Sequence, residues 1–311
     1  MNTSFAKEPD LGVEIAGIKM KNPVMTASGT FGFGELYTDF FPLDQLGAVV
    51  VKGVTREARA GNPPPRLVET PSGLLNAIGL ENPGVDKVIA EYLPPLAGCG
   101  APVIVNIAGN TAEDYCYVAE KLSECPVVSG LEINISCPNV KAGGLAFGSR
   151  ADLASDVVRQ IRAATALPLI VKLSPNVTDI VEIALAVEEA GADALTLVNT
   201  LLGMAIDIKK RKPRLANITG GLSGPAMKPV ALRMVWQVSQ QVKIPVIGLG
   251  GIVTAADALE FIMAGASAVA IGTGQFINPC CCVEVAEGLN AYCLTHGIKR
   301  ISDLIGVAWK E

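Results

Sequence analysis

A (β/α)8 TIM barrel is the fold this sequence predicts, from its length, its repeat of β-rich runs and the helical character of what lies between them. Eight short runs rich in β-branched and aliphatic residues recur along 311 residues: PVMTAS (23–28), AVVVKG (48–53), PVIVNI (102–107), LEINIS (131–136), PLIVKL (168–173), DALTLV (193–198), IPVIGLG (244–250) and AVAIGT (268–273). Strands that alternate with helices imply β-α-β units and parallel pairing. Eight such units in a chain of this size fit a closed barrel. A doubly wound open sheet competes, but no G-x-G-x-x-G follows the first strand.

The elements follow in order. LGVEIAGIKMKNP (11–23) reads as a short N-terminal hairpin ahead of the first barrel strand. ADLASDVVRQIRAAT (151–165) and TDIVEIALAVEEAGA (178–192) have clear amphipathic helical periods. Thr178 reads as a cap with Asp179 and Glu182 in the acidic first turn, and Gly191 and Gly265 read as helix stops. Two long insertions, 54–83 after the second strand and 201–224 after the sixth, are expected as long loops covering a site on the C-terminal face. With no linker and no shift in composition, residues 1–311 read as a single domain.

Composition narrows the class. Half of the residues are hydrophobic but only 5% are aromatic, the aliphatic material of parallel sheets buried on both faces. A net charge of −5 argues against nucleic acid as a partner. The longest uncharged run, 261–283, is broken by Gly265, Gly272, Gly274, Asn278 and Pro279, so it reads as a helix end, a strand and a loop rather than a membrane span. MNTSFAKEPD at the N-terminus lacks an apolar signal region, and a cytoplasmic protein is expected. The eight cysteines form no C-x-x-C pair and the single His296 has no ligand-like neighbour, so no metal site is expected in this chain. Cys280-Cys281-Cys282 reads as the small, apolar start of a helix after Pro279, and the basic segment KKRKPR (209–214) as a solvated loop or a partner contact.

In a barrel the C-terminal strand ends build the active site. Here those ends carry Ser28, Lys52, Asn106, Asn134 with Cys137, Lys172, Asn199 with Thr200, Gly250-Gly251 and Gly272-Thr273. Lys52 and Lys172 lie in otherwise apolar runs. A buried lysine must meet an anion or fixed dipoles, so an anionic ligand is expected there. Glycines after strands seven and eight, joined by Gly224, allow backbone N–H groups to approach a phosphate. The asparagines can read a planar amide edge. A phosphorylated planar cofactor and a small polar heterocycle satisfy all of these.

Taken in order, ASGT (27–30), VVKGVT (50–55), NAIGLENPG (76–84), NISCPN (134–139), VKLSPN (171–176), NT (199–200), GGLSGPA (220–226), GLGGI (248–252) and IGTG (271–274) resemble the class 1 dihydroorotate dehydrogenases over about residues 10–308. NAIGL and NVKAGG resemble the NAD-linked B subtype rather than the fumarate-linked A subtype. The resemblance implies an FMN-binding TIM barrel that oxidises dihydroorotate to orotate in pyrimidine biosynthesis. Cys137 would be the base that takes the C5 proton, with the C6 hydride passing to flavin N5. Lys52 would lie between flavin and substrate. Asn76, Ala77, Ile78, Gly79, Leu80, Asn134, Asn199 and Thr200 would hold the pyrimidine and its carboxylate, with Asn139 a further contact.

On the same grounds Lys172 would stabilise the reduced ring. Ser28, Gly53, Asn106, Asn134 and Val198 would contact the flavin, and Gly224, Gly250, Gly251, Gly272 and Thr273 its phosphate end. A free thiol titrates near about 8.5, so a cysteine base needs only a modest shift, and the glycine-rich loop after Cys137 could close over substrate. The B subtype often carries His at the position of Ala142. A partner subunit with FAD and a 2Fe–2S cluster is implied, this chain forming a homodimer within a heterotetramer. Three other readings stay open: an A-type enzyme using fumarate alone, an oxidoreductase of another dihydropyrimidine, and a non-catalytic flavin-binding barrel.

Overall fold

The computed structural model describes residues 8–136, 138–139 and 145–310, without the side chains of 138, 139, 145 and 146. Cys137 and Ala142 lie outside the described residues. The eight predicted runs form eight strands: Val24–Thr26, Val49–Val54, Val103–Ile107, Val128–Asn134, Leu169–Leu173, Ala194–Leu197, Val246–Leu249 and Ala268–Ile271. They pair in parallel in sequence order, and the eighth returns to the first. The seam between first and second strands closes through a parallel Met25–Ala48 bridge. Thr26 stitches this seam: its Oγ1 donates to the Val50 carbonyl (3.1 Å) and accepts from the Val50 amide (2.8 Å).

Alternation along each strand divides two apolar layers, because successive side chains point to opposite faces. Val49, Val51, Val105, Leu131, Ile133, Val171 and Leu195 pack outward against the helices. Met25, Val50, Ile104, Ile170, Ile247 and Ala270 fill the barrel interior. Six connections carry α-helices: Ala112–Ser123, Ala151–Ala164, Ile180–Glu189, Lys228–Ser239, Ala255–Met263 and Cys281–His296. The first connection instead holds the 3-10 turn Leu43–Gln45, and the second a short helical run through Val85–Lys87 and Val88–Tyr92. In the first, Phe31, Phe33, Tyr37 and Phe41 are buried where a helix would otherwise pack.

The cap of the Ile180–Glu189 helix is Asp179, not Thr178. Asp179 Oδ1 accepts from the amides of Val181 (2.8 Å) and Glu182 (3.4 Å), the reach of an N-cap acceptor to the second and third helical positions. Thr178 is one residue too early. Gly191 and Gly265 follow their helices at positive φ, as expected of stops.

The N-terminal hairpin, Val13–Ile15 with Ile18–Met20, is the floor of the barrel. Ile15, Ile18 and Met20 join the interior cluster, and a Cβ at Gly130, near the start of the fourth strand, would lie 2.9 Å from Ile18 Cδ1. The lower half of the barrel is therefore packed with apolar side chains. At the opposite end, the two long insertions are not plain loops. They pair with each other in a four-stranded antiparallel sheet ordered Leu201–Met204, Thr219–Ser223, Gly73–Asn76, Leu67–Thr70. A small core of Val68, Leu75, Ala77 and Leu215 lies within this sheet. Among the described residues no helix is long and apolar enough to cross a membrane.

Ile15→Ala should lower the unfolding free energy by about 2–5 kcal/mol, the range for emptying a fully buried aliphatic site, because Ile15 is 1% exposed in the floor. Urea denaturation reads this, and a loss of less than about 1 kcal/mol would show the floor to be dispensable.

Candidate active site

A cavity of about 390 Å³ opens at the C-terminal end of the barrel beneath the four-stranded sheet. That volume suits a small-molecule site. All the site residues expected from sequence line it except Cys137, which lies outside the described residues, and Asn139, whose side chain lies outside them. Ala27, Thr30, Leu74, Leu222, Ser223 and Met227 also line it and were not expected.

Strands four and six supply an amide network. Asn199 Nδ2 donates to Asn134 Oδ1 (3.3 Å) and Ser136 Oγ (3.0 Å), while the Ser136 amide donates to Asn134 Oδ1 (3.2 Å). With its oxygen twice engaged, Asn134 has its amide N–H groups left for the cavity. Asn199 Oδ1 accepts from the Thr200 amide (2.8 Å). Asn176, which was not singled out from sequence, ties this corner down. Its Nδ2 donates to the Thr200 carbonyl (2.9 Å) and its Oδ1 accepts from the Leu202 amide (2.8 Å). Behind the fourth strand, the buried Tyr115 hydroxyl donates to the Asn134 carbonyl (2.6 Å), and its ring meets Phe147 edge-on.

The loop from Asn76 to Leu80 forms one wall. Asn76 Nδ2 donates to the Gly221 carbonyl across the sheet (3.2 Å). Leu80 sits at φ 56°, a conformation unfavourable for leucine. Asn82 holds it there, donating to the Leu80 carbonyl (2.8 Å) and to Thr55 Oγ1 (2.8 Å) while accepting from the Gly84 amide (2.9 Å).

The two lysines differ. Lys52 has no ion pair among the described residues and faces the cavity half-buried. Lys172 is 4% exposed and meets an anion within the chain itself: Nζ lies 3.5 Å from Glu132 Oε2 and donates to Ser28 Oγ (3.0 Å). Glu132 Oε2 also accepts from Asn106 Nδ2 (2.6 Å). The signal for Glu132 was present in LEINIS, two residues before Asn134 and hence on the same strand face.

Strands seven and eight supply the glycine cradle. Gly224, Gly250 and Gly251 have φ of 90°, 140° and 75°. A Cβ at Gly251 would lie 2.7 Å from the Lys228 nitrogen and 2.9 Å from the Gly224 carbonyl oxygen. Thr273 Oγ1 donates to Ser223 Oγ (2.8 Å). Lys228 clamps the cradle from behind: Nζ lies 2.7 Å from both Asp257 Oδ1 and Glu260 Oε1. The hydrogen bonds to Asp257 and then Glu260 hold the Lys228 ammonium above its usual range. Burial opposes ionisation of Asp257, but hydrogen bonds from Lys228 and Thr254 leave its carboxyl below the usual range.

The cradle fits a phosphate-bearing cofactor. A Cβ built at Gly272 would find no chain atom beyond its neighbours nearer than 3.5 Å, so this glycine avoids no internal clash and leaves room on the cavity wall. Positive-φ glycines beside it bring backbone close to that space. Cys281 and Cys282, by contrast, are buried at the start of the last helix. Burial pushes the Cys281 thiol up to about 11 and the Cys282 thiol higher still, so both stay protonated near neutral pH. The helix start expected after Pro279 is borne out, with Cys280 at its N-cap. KKRKPR is exposed throughout, with Lys212–Pro213 pairing with Ile206–Asp207.

A closed parallel barrel with a glycine cradle at strands seven and eight, opening into a chamber of amides and lysine ammonium groups, belongs to the (β/α)8 enzymes that bind phosphorylated ligands at that end. The sequence profile of the family described as dihydroorotate dehydrogenase matches residues 10–293, and the chain belongs to that family. It is 60% identical over 299 residues to the "Dihydroorotate dehydrogenase B (NAD(+)), catalytic subunit" of Geotalea uraniireducens (strain Rf4), covering 96% of this chain and 98% of that protein. A protein of the same name from Geotalea daltonii (strain DSM 22248 / JCM 15807 / FRC-32) is 58% identical over 299 residues, with the same coverage. Its namesake in Geobacillus kaustophilus (strain HTA426) is 56% identical over 300 residues, covering 96% of each chain. These relatives bear out the resemblance to the NAD-linked B subtype.

Gly251→Ala should weaken binding of FMN by the apoprotein at least about tenfold, roughly 1.4 kcal/mol, because the new methyl strains the backbone and presses on Gly224. Titration by quenching of FMN fluorescence checks this, and an unchanged Kd would place the phosphate elsewhere.

Proposed function

We propose that this chain is the FMN-carrying catalytic subunit of an NAD+-linked dihydroorotate dehydrogenase, converting (S)-dihydroorotate to orotate in pyrimidine biosynthesis. The observation that carries the reading is that one cavity joins the glycine cradle to the Lys52, Asn134, Asn199 and Thr200 chamber, in a chain 55–60% identical to relatives of that name. The residues present fit FMN. Gly224, Gly250, Gly251, Gly272 and Thr273 hold its phosphate, and Ser28, Lys52, Gly53, Asn106, Asn134, Lys172 and Val198 contact the remainder. When bound, FMN supplies the acceptor for the hydride that leaves C6 of the substrate.

The remaining work falls to side chains. Lys52, free of internal ion pairs among the described residues, supplies positive charge to the substrate carboxylate. Asn134 presents N–H donors, since both Asn199 and Ser136 occupy its oxygen. Asn76 to Leu80 and Thr200 close the pyrimidine pocket. Cys137 follows Ser136 in sequence and, as thiolate, accepts the C5 proton. Loss of that proton and the C6 hydride leaves the C5–C6 double bond of orotate.

Residues 1–311 act as one FMN-binding barrel domain in the cytoplasm. Electrons leave through a partner subunit carrying FAD and a 2Fe–2S cluster, two copies of each chain forming a heterotetramer. The test is to purify the chain, record flavin absorbance and add dihydroorotate without oxygen. Bleaching by dihydroorotate, with NAD+ reduced only once the electron-transfer subunit is added, supports the reading. Efficient fumarate reduction by the chain alone, or faster bleaching by dihydrouracil, contradicts it.

Cys137→Ala should retain FMN but lose about 10²–10⁴-fold in kcat, the usual worth of a general base; normal kcat would put the base elsewhere. Cys137→Ser should keep residual activity with its optimum moved to higher pH, because a hydroxyl is a far weaker acid than a thiol. An unshifted kcat–pH profile would remove Cys137 as the titrating group.

A further inference from the structure

Glu132 is the acidic side chain on the barrel's interior face among the described residues, and it is 3% exposed. It sits two residues before Asn134 on the same face of the fourth strand, one step deeper in the barrel. In register it lies beside Asn106 on the third strand and Ile170 on the fifth, with Ile104 one step deeper, so aliphatic side chains surround the polar pair. The fold could fill this place with another aliphatic group, and replacing a whole buried ion pair by apolar residues is often neutral or stabilising. Stability therefore gives no reason for a carboxylate here.

Its contacts give one. Glu132 Oε2 accepts from Asn106 Nδ2 at 2.6 Å and lies 3.5 Å from Lys172 Nζ. An amide whose nitrogen is committed downward has its carbonyl oxygen on the other side. Asn106 Oδ1 accordingly lies toward Gly53, where a Cβ would approach it to 2.9 Å. Asn106 is thus presented to the cavity as an acceptor. Lys172 has three N–H donors, of which Ser28 and Glu132 take two. The third is left for the cavity that Lys172 lines. One carboxylate therefore sets the polarity of one cavity group and the aim of another, and offsets the positive charge of the second.

We propose that Glu132 is a positioning residue that fixes Asn106 as an acceptor and tempers the charge of Lys172, and thereby sets the reduction potential of bound FMN. This rests on the FMN reading above. Reduction adds electron density to a ligand beside Lys172. A negative charge beneath the ammonium disfavours that addition, and its removal favours it, since the coulombic interaction is stronger in a site shielded from water.

Two measurements test this. The first needs no FMN: apoprotein melting temperatures of wild type, Glu132→Gln, Lys172→Met and the double variant. The double variant melting above Lys172→Met, which strands a buried carboxylate, supports the pairing; additive losses overturn it. The second is the midpoint potential of bound FMN by anaerobic dye equilibration. Glu132→Gln should raise it, tightening reduced over oxidised FMN about tenfold, or about 30 mV for a two-electron couple. Glu132→Asp, which keeps the charge on a shorter stem, should melt lower yet hold the wild-type midpoint.

An unchanged midpoint in Glu132→Gln overturns the inference. If that variant does not fold, Glu132→Asp decides alone: a midpoint held despite a lower melting temperature supports the proposal, and one that shifts with the melting temperature overturns it. Wild-type chain that takes up no FMN overturns the functional reading instead, which keeps the two failures distinct.

Discussion

Burying the Lys172 ammonium in a barrel otherwise filled with aliphatic side chains carries a desolvation cost of several kcal/mol, and the upper half of the barrel is arranged around meeting it. Glu132 supplies the counter-charge and Ser28 a hydroxyl acceptor. Asn106 completes the coordination of the carboxylate. Glu132 and Lys172 come from neighbouring strands four and five, Asn106 from strand three and Ser28 from just past strand one, so the full set of contacts meets only when the sheet closes. The apolar floor built by Ile15, Ile18 and Met20 closes the barrel below the pair. The site's charge is thereby held in place by the same closure that makes the barrel.

From that layer upward the architecture changes from apolar packing to directed hydrogen bonds. Asn134, Asn199 and Ser136 satisfy one another in a way that frees particular donors. The glycines of strands seven and eight lower the opposite wall to backbone. The two insertions close over the cavity as a sheet rather than as separate flaps, because Leu75 pairs with Leu222 and Asn76 with Gly221. The glycine cradle and the Lys52, Asn134 and Asn199 chamber then share one cavity, which on the proposed reading brings cofactor and substrate together as hydride transfer requires.

Much of this was legible in the sequence, and the reasons are local. A parallel strand buried on both faces reads as a continuous apolar run, so VVV, VIV and LIV announced strands, and the polar residue ending each run announced the cavity. Glycine pairs at 250–251 and a helix-starting Pro225 are also local signals. What was not legible depends on distant partners. Glu132 between Leu131 and Ile133 looks like ordinary alternation, since Asn106 and Lys172 are 26 and 40 positions away. The covering sheet hides for the same reason: its strands are only four or five residues long and Asn76 meets Gly221 across 145 positions. Thr178 and Asp179 show the finer limit, where two adjacent residues both suit a cap and only backbone direction selects one.

The central claim, that one chamber seats the cofactor phosphate on the glycine cradle and the pyrimidine against Lys52 and the asparagines, is tested most directly by a crystal structure of this chain with FMN and orotate. Phosphate against Gly224, Gly251 and Gly272, with the orotate carboxylate and ring within hydrogen-bond reach of Lys52, Asn134 and Asn199, is the expected result. Phosphate seated away from those glycines, or orotate outside the chamber, would contradict it.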